Sequence, residues 1–136
     1  MILGIGTDVV SIERIAGVLE RHGERFVNRI LTAEERARFA RTRGRASHLA
    51  KRWAAKEAFS KAIGTGIHAP FTWHSISVGR APSGAPGIVP GEAMARYLGA
   101  RGGKRAHLSL THPARIARAS LFLERCHRHA GNDGDY

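Results

Sequence analysis

Cysteine is all but absent: Cys126 stands alone in a chain of 136 residues. No intrachain disulfide and no cysteine-built zinc site can form, which fits a reducing cytoplasm. No apolar run approaches the roughly 20 residues that a membrane span needs. The opening Met1-Ile-Leu-Gly-Ile-Gly-Thr-Asp8 lacks a basic leader and breaks at its glycines, so it does not read as a signal peptide. No internal repeat is present. Acids are scarce: 11 Asp and Glu face 22 Lys and Arg, a formal charge of +11. That imbalance asks for an anionic partner, whether nucleic acid, membrane surface, phosphorylated ligand or acidic protein. The excess crowds the stretch from Arg14 to Arg52, where Glu20, Glu24, Glu34 and Glu35 are the only acids. No lysine-arginine block or aromatic-interleaved basic tract occurs, so the nucleic-acid signal is generic.

What is present suffices for one globular domain. Hydrophobic residues make up 43% of the chain, enough to bury a core. Met1 to Val10 reads as a strand thinned by Gly4 and Gly6, and glycine inside a strand marks close backbone approach. Asp8 near its end is a poor strand residue, and a turn or N-cap is its plain explanation. Ser11 starts a helix with Ile12, Ile15, Val18 and Leu19 on one face. After Gly23, a second short apolar stripe holds Phe26, Val27, Ile30 and Leu31. Thr32-Ala-Glu-Glu35 is a capping box opening a helix to about Arg41. A long helix runs from Arg45 to a glycine stop at Gly64 and Gly66.

Beyond Gly66 the pattern changes. Ser75 to Val78 alternates as a short strand, and Gly87-Ile88-Val89 is its partner across a Pro- and Gly-rich turn. Pro90 opens a helix carrying Ala93, Met94, Tyr97 and Leu98, closed by Gly102-Gly103. His107-Leu-Ser-Leu-Thr111 is a strand with Leu108 and Leu110 on one side and His107, Ser109 and Thr111 on the other. His112-Pro113 turns the chain into Ile116 to Leu123, giving a hairpin. From Arg125 the chain reads as a frayed polar tail. This order gives an α+β fold, a small antiparallel sheet packed on a long helix.

Three features can carry chemistry. Asp8 ends the first strand. Glu57 and Lys61 lie one turn apart on the long helix, where a surface i,i+4 ion pair is the plain reading. His107, Ser109, Thr111 and His112 share a strand face and its end, and a solvated face explains them equally well. An Asp and a Glu from separate elements could share a hard cation with substrate phosphates, as magnesium prefers. A nearby lysine would offset phosphate charge. A basic nucleic-acid module would explain the charge but not these acids.

Three blocks then resemble a known family: Gly4-Ile-Gly-Thr-Asp8-Val-Val-Ser-Ile-Glu-Arg14-Ile, Arg52-Trp-Ala-Ala-Lys56-Glu57-Ala-Phe-Ser-Lys61-Ala-Ile-Gly64-Thr-Gly66, and His107-Leu-Ser109-Leu-Thr111-His112. In this order they are similar to the signature blocks of the holo-[acyl-carrier-protein] synthases, small members of the 4'-phosphopantetheinyl transferase superfamily. The resemblance spans residues 1–124 as one transferase domain and leaves 125–136 as a tail without counterpart. Pro113 departs from the polar residue usual after the histidine and removes a backbone N–H there.

The resemblance implies transfer of 4'-phosphopantetheine from coenzyme A to a serine of apo-acyl-carrier protein, in fatty-acid biosynthesis, with adenosine 3',5'-bisphosphate as the other product. Asp8 and Glu57 would bind Mg2+, and Lys61 would balance the pyrophosphate. The serine proton would leave through Glu57 or through a water on the metal, and both routes stand open. Arg52, His107, Ser109, Thr111 and His112 would contact the adenine nucleotide and its 3'-phosphate. The acidic carrier protein would dock on Arg14, Arg21 and Arg25. The family also implies a homotrimer with the coenzyme A cleft between subunits, a cytoplasmic location, and neither nucleic acid nor membrane as partner.

Overall fold

A computed structural model describes residues 1–125, and residues 126–136 of the expected 125–136 tail, with Cys126, lie outside the described residues. The chain runs β1 (Ile2–Ser11), α1 (Ile12–His22), α2 (Glu24–Ile30), α3 (Ala33–Phe39), α4 (Arg45–Ala62), β2 (Ile76–Arg80), β3 (Pro86–Pro90), α5 (Glu92–Ala100), β4 (Gly103–Thr111) and β5 (Ile116–Arg125). The expected antiparallel sheet on a long helix is present, in the strand order β1-β5-β4. The β2-β3 hairpin forms a second sheet of its own. Among the described residues no helix is long and apolar enough to cross a membrane.

Local chemistry sets the helix starts. The Ser11 hydroxyl accepts from Arg14 N at 3.2 Å, and Gly23, with φ 53°, divides α1 from α2. The capping box at Thr32 forms as expected: Glu35 Oε1 accepts from Thr32 N at 2.9 Å, and Thr32 Oγ1 from Glu35 N at 3.4 Å. Such a cap stabilises a helix by about 1 kcal/mol. Gly64 and Gly66, both at positive φ, end α4, and the N–H groups of Thr65 and Gly66 donate to Ser60 O. Several boundaries differ from the sequence reading: β4 starts at Gly103 and not at His107, and β2 runs on to Arg80. Pro90 closes β3 opposite Ile76 instead of opening α5, whose N-cap is Gly91. A proline is tolerated at the end of an edge strand, where its missing N–H costs no ladder bond. Arg125 belongs to β5, where its N–H donates to Met1 O at 2.8 Å.

Helix α4 is the centre of the core, with eleven of its eighteen residues buried. It lies on the sheet face made by Val10, Ala117, Ala119, Leu121 and Leu123. The approach to β1 is limited by backbone alone. A Cβ at Gly6 would stand 1.7 Å from Ala58 O, and one at Gly4 would stand 1.9 Å from Ala62 O. No L side chain fits there, so the glycines let strand and helix touch. Because side chains alternate along β1, the contact also turns Asp8 toward α4. The other face of the sheet is open: Ile5, Val9 and Phe122 are 56%, 54% and 41% exposed, with Ile5 paired to Phe122.

Gly6→Ala is expected to destabilise the protein by about 3 kcal/mol, by pushing β1 off α4. Gly99→Ala in α5, where a Cβ meets nothing within 4 Å, should instead stabilise it by up to about 1 kcal/mol. Urea unfolding of the two variants beside the parent checks the contrast.

Candidate active site

The contact of β1 with α4 brings together three residues from the first two blocks. Asp8 projects from β1 with its side chain only 10% exposed. Lys61 does not pair with Glu57 one turn back. It reaches across to β1, donating to Thr7 O at 3.0 Å and Asp8 Oδ1 at 3.1 Å. The i,i+4 surface pair is therefore replaced by a tertiary one. Asp8 Oδ2 is buried and has no hydrogen-bond partner. Buried polar atoms are nearly always satisfied, and the donor the chain can turn to Asp8 is the Glu57 carboxyl while it keeps its proton, so with both acids ionised the place needs a cation.

Glu57 faces the same spot. Its carboxyl is pushed up to about 7, first by burial, then by the negative charge of Asp8 and a hydrogen bond to it, with Lys61 and Arg14 pulling the other way. Two acids crowd one place, and Glu57 is only partly ionised near neutral pH until something positive arrives. Among the described residues no three His, Cys, Asp or Glu side chains gather as a metal cage. The donor set is two carboxylates, hard oxygen ligands that leave most of a coordination shell free. That set fits a magnesium ion whose remaining positions go to water and substrate phosphate.

Arg52 lies elsewhere. It shares a stripe of α4 with His48 and Lys56, at i,i+4 spacing, and is only 2% exposed. With His48, Arg38, Thr32 and Ser77 it lines a cavity of about 670 Å³ between α3, α4 and the β2-β3 hairpin. Cations outnumber acids there, Arg36, Arg38 and Arg52 against Glu34 and the Lys56-paired Glu35. Burial, then the neighbouring charges of Arg52, Lys51, Arg38 and Arg80, push His48 down to about 4. Burial brings Arg52 down to about 10, with Glu35 opposing and Arg80 and Arg38 adding to the fall. A cavity whose cations repel one another favours an anion. The sequence offered Arg52 by its charge but gave no sign that His48 and Arg38 stand with it.

His107, Ser109 and Thr111 are exposed on the open face of the sheet, away from Asp8 and Glu57, and His112 is exposed in the β4-β5 turn. His107 Nε2 lies 2.9 Å from Glu124 Oε2 on β5. Within one chain the third block thus stands on the far side of the sheet from the paired acids. Arg14, Arg21 and Arg25 are all exposed on α1 and α2.

The sequence profile of the 4'-phosphopantetheinyl transferase superfamily matches residues 4–117. The chain belongs to this superfamily. Its relatives within it are similar over nearly their whole lengths. The holo-[acyl-carrier-protein] synthase of Aromatoleum aromaticum is 50% identical over 125 residues, 92% of this chain and 99% of that protein. The crystal structure of the synthase from Neisseria meningitidis superposes with a TM-score of 0.88 at 39% identity, covering 92% of this chain and 100% of that one. A Bacillus anthracis synthase in complex with CoA (3',5'-ADP) gives a TM-score of 0.78 at 34% identity, over 93% and 99% of the two chains.

The raised Glu57 carboxyl predicts an effect on stability without metal. A carboxyl held above its ordinary value favours the folded state when protonated, so its contribution is full below about 4.5 and is lost as pH rises through about 7. His48 acts in the opposite sense, because a depressed imidazole costs stability as pH falls from 6.5 toward 4. The parent alone therefore mixes the two. The difference in unfolding free energy between the parent and Glu57→Gln, measured in chelator, isolates the acid: it should move against the parent as pH rises from 5 to 8. A difference that stays flat would remove the shared burial of the two acids.

Proposed function

We propose that this chain is a holo-[acyl-carrier-protein] synthase that depends on magnesium. It transfers 4'-phosphopantetheine from coenzyme A to a serine of apo-acyl-carrier protein and releases adenosine 3',5'-bisphosphate. The convergence of Asp8 and Glu57 from separate elements, with one buried carboxylate oxygen left unpartnered, carries the reading. Membership of the superfamily and near-complete coverage of relatives named for this activity support it.

In this reading Asp8 and Glu57 hold the metal. Bound there, magnesium would polarise the attacked phosphorus and offset charge on the leaving phosphate. The chain's own groups do the rest. The serine oxygen forms a bond to the β-phosphorus of coenzyme A, the bond to the bridging oxygen breaks, and the electron pair leaves with the nucleotide. Lys61, half-exposed beside Asp8, sets a fixed positive charge next to that pyrophosphate. Glu57, beside Asp8, is the acceptor the chain itself can offer the serine hydroxyl. Arg52, in a cavity where arginines outnumber acids, would meet the nucleotide's anionic end. His107, Ser109, Thr111 and His112 would complete the nucleotide contacts.

The far-side position of that third block supports a composite cleft. The open sheet face carries Ile5, Val9 and Phe122, an apolar surface that subunits of a homotrimer would cover. Covering it would bring the strand face of one copy toward the acids of another. The acidic carrier protein would dock on Arg14, Arg21 and Arg25, and Arg14 is already close enough to influence Glu57. A single cysteine supports a reducing, cytoplasmic setting.

The test is transfer to a purified apo-carrier, read by mass, with and without chelator. Asp8→Asn and Glu57→Gln should each lower the metal-dependent rate by at least ~100-fold while circular dichroism stays that of the parent. Full turnover in either variant removes the metal assignment. Arg14→Glu should raise the carrier KM about tenfold and leave the coenzyme A KM unchanged. Light scattering should give three times the chain mass; a monomer at working concentration removes the composite cleft.

A further inference from the structure

A buried ion pair sits one residue from Glu57, and neither the fold nor the chemistry above explains it. Lys56 is fully buried, and its Nζ donates to Ile30 O at 2.7 Å, Glu35 Oε1 at 2.6 Å and Trp73 O at 2.6 Å. All three ammonium protons are therefore used. The acceptors come from three separate segments: the last residue of α2, the first turn of α3, and the loop before β2. Both oxygens of Glu35 are occupied in turn, since Oε1 also accepts from Thr32 N and Oε2 from Val78 N at 3.1 Å. Trp73 is itself held by stacking on Trp53 of α4, with centroids 4.5 Å apart.

Stability is a weak reason for such a pair. Desolvating two charges cancels most of their attraction, and apolar replacements of similar volume often leave a protein as stable. Direction is a better reason. Where α4 meets the sheet and the rest of the core, Leu49 and Phe59 are its large apolar side chains, and the rest of the lining is Ala50, Ala54, Ala55, Ala58 and Ala62. These small side chains make shallow ridges that resist rotation of the helix poorly. A carboxylate at the helix surface stands about 5 Å from the axis. A turn of about 20° would shift it by about 2 Å, and misplacement of about 1 Å can lower a rate about 100-fold. Three directional bonds at residue 56 fix that rotation at the turn that carries Glu57. Lys61 adds only a half-exposed tie on the other side.

We propose that Lys56 and Glu35 are positioning residues for the transfer reaction: their buried bond fixes the rotation and axial register of α4, and so holds Glu57 opposite Asp8. The proposal rests on the reading of Asp8 and Glu57 as a divalent-cation pair.

The experiment compares the parent, Lys56→Met/Glu35→Gln and Glu35→Asp. The double variant removes both charges and keeps an acceptor at position 35. Glu35→Asp keeps both charges but shortens one arm by a methylene, and it decides the matter if the double variant does not fold. Direct titration with Mn2+ by calorimetry is the first readout, and steady-state transfer the second. In a folded variant, Mn2+ affinity should fall about tenfold or more and kcat should drop, while the carrier KM holds. The loss of Mn2+ affinity should disappear in a Glu57→Gln background, where no second acid remains to be placed. Mn2+ affinity within twofold of the parent in a folded variant overturns the proposal. So does a kcat lowered only in proportion to the folded fraction, since that marks a purely structural pair. If the parent itself neither binds Mn2+ nor needs a divalent ion, the cation reading fails instead, and the two failures are distinct.

Discussion

The meeting of Asp8 and Glu57 depends on how closely α4 can approach β1. Two carboxylates can share one ion only if their backbones lie near each other, and side chains between the elements would hold them apart. Gly4 and Gly6 remove that barrier, leaving the strand against the carbonyls of Ala58 and Ala62. Packing at this level is unforgiving, because a single methyl has no free volume to enter. The acid pair, the lysine tie and the raised proton affinity of Glu57 all follow from that one contact.

Charge is partitioned around α4 in a way that its composition hides. One stripe, with Glu57 and Lys61, faces the acid from β1. Another, with His48, Arg52 and Lys56, faces α3 and the second sheet. The first gathers negative charge that calls for a cation, and the second gathers positive charge that calls for an anion. A substrate with a pyrophosphate at one end and a phosphorylated nucleotide at the other has both features. The open sheet face, apolar at Ile5, Val9 and Phe122 and polar at Ser109 and Thr111, is where a second copy would join these parts.

Much of the fold was legible because its signals are local. The Ser11 cap, the capping box at Thr32, the glycine stops after α4 and the β4-β5 hairpin all express near-neighbour chemistry. Pro90 misled because a proline suits both the start of a helix and the end of an edge strand, and only pairing with Ile76 selects the second. The candidate site was legible in part. Asp8, Glu57 and Lys61 were found as residues, but the i,i+4 rule joins Lys61 to Glu57, whereas the folded chain joins it to an acid 53 positions away. Glu35 read as a helix cap and is also the partner of a buried lysine, a role no spacing within one helix reveals.

The sequence by itself determined the class of fold, the family, and the types of group available for catalysis, since each is written in short stretches of residues. Tertiary structure alone decided which of those groups meet. It set Asp8 against Glu57, hid Arg52 in a cavity, buried Lys56 on Glu35, and turned His107, Ser109 and Thr111 to the far side of the sheet. The reason is geometric: a side chain's direction on a helix or strand follows from local periodicity, but what lies opposite it depends on how distant segments pack.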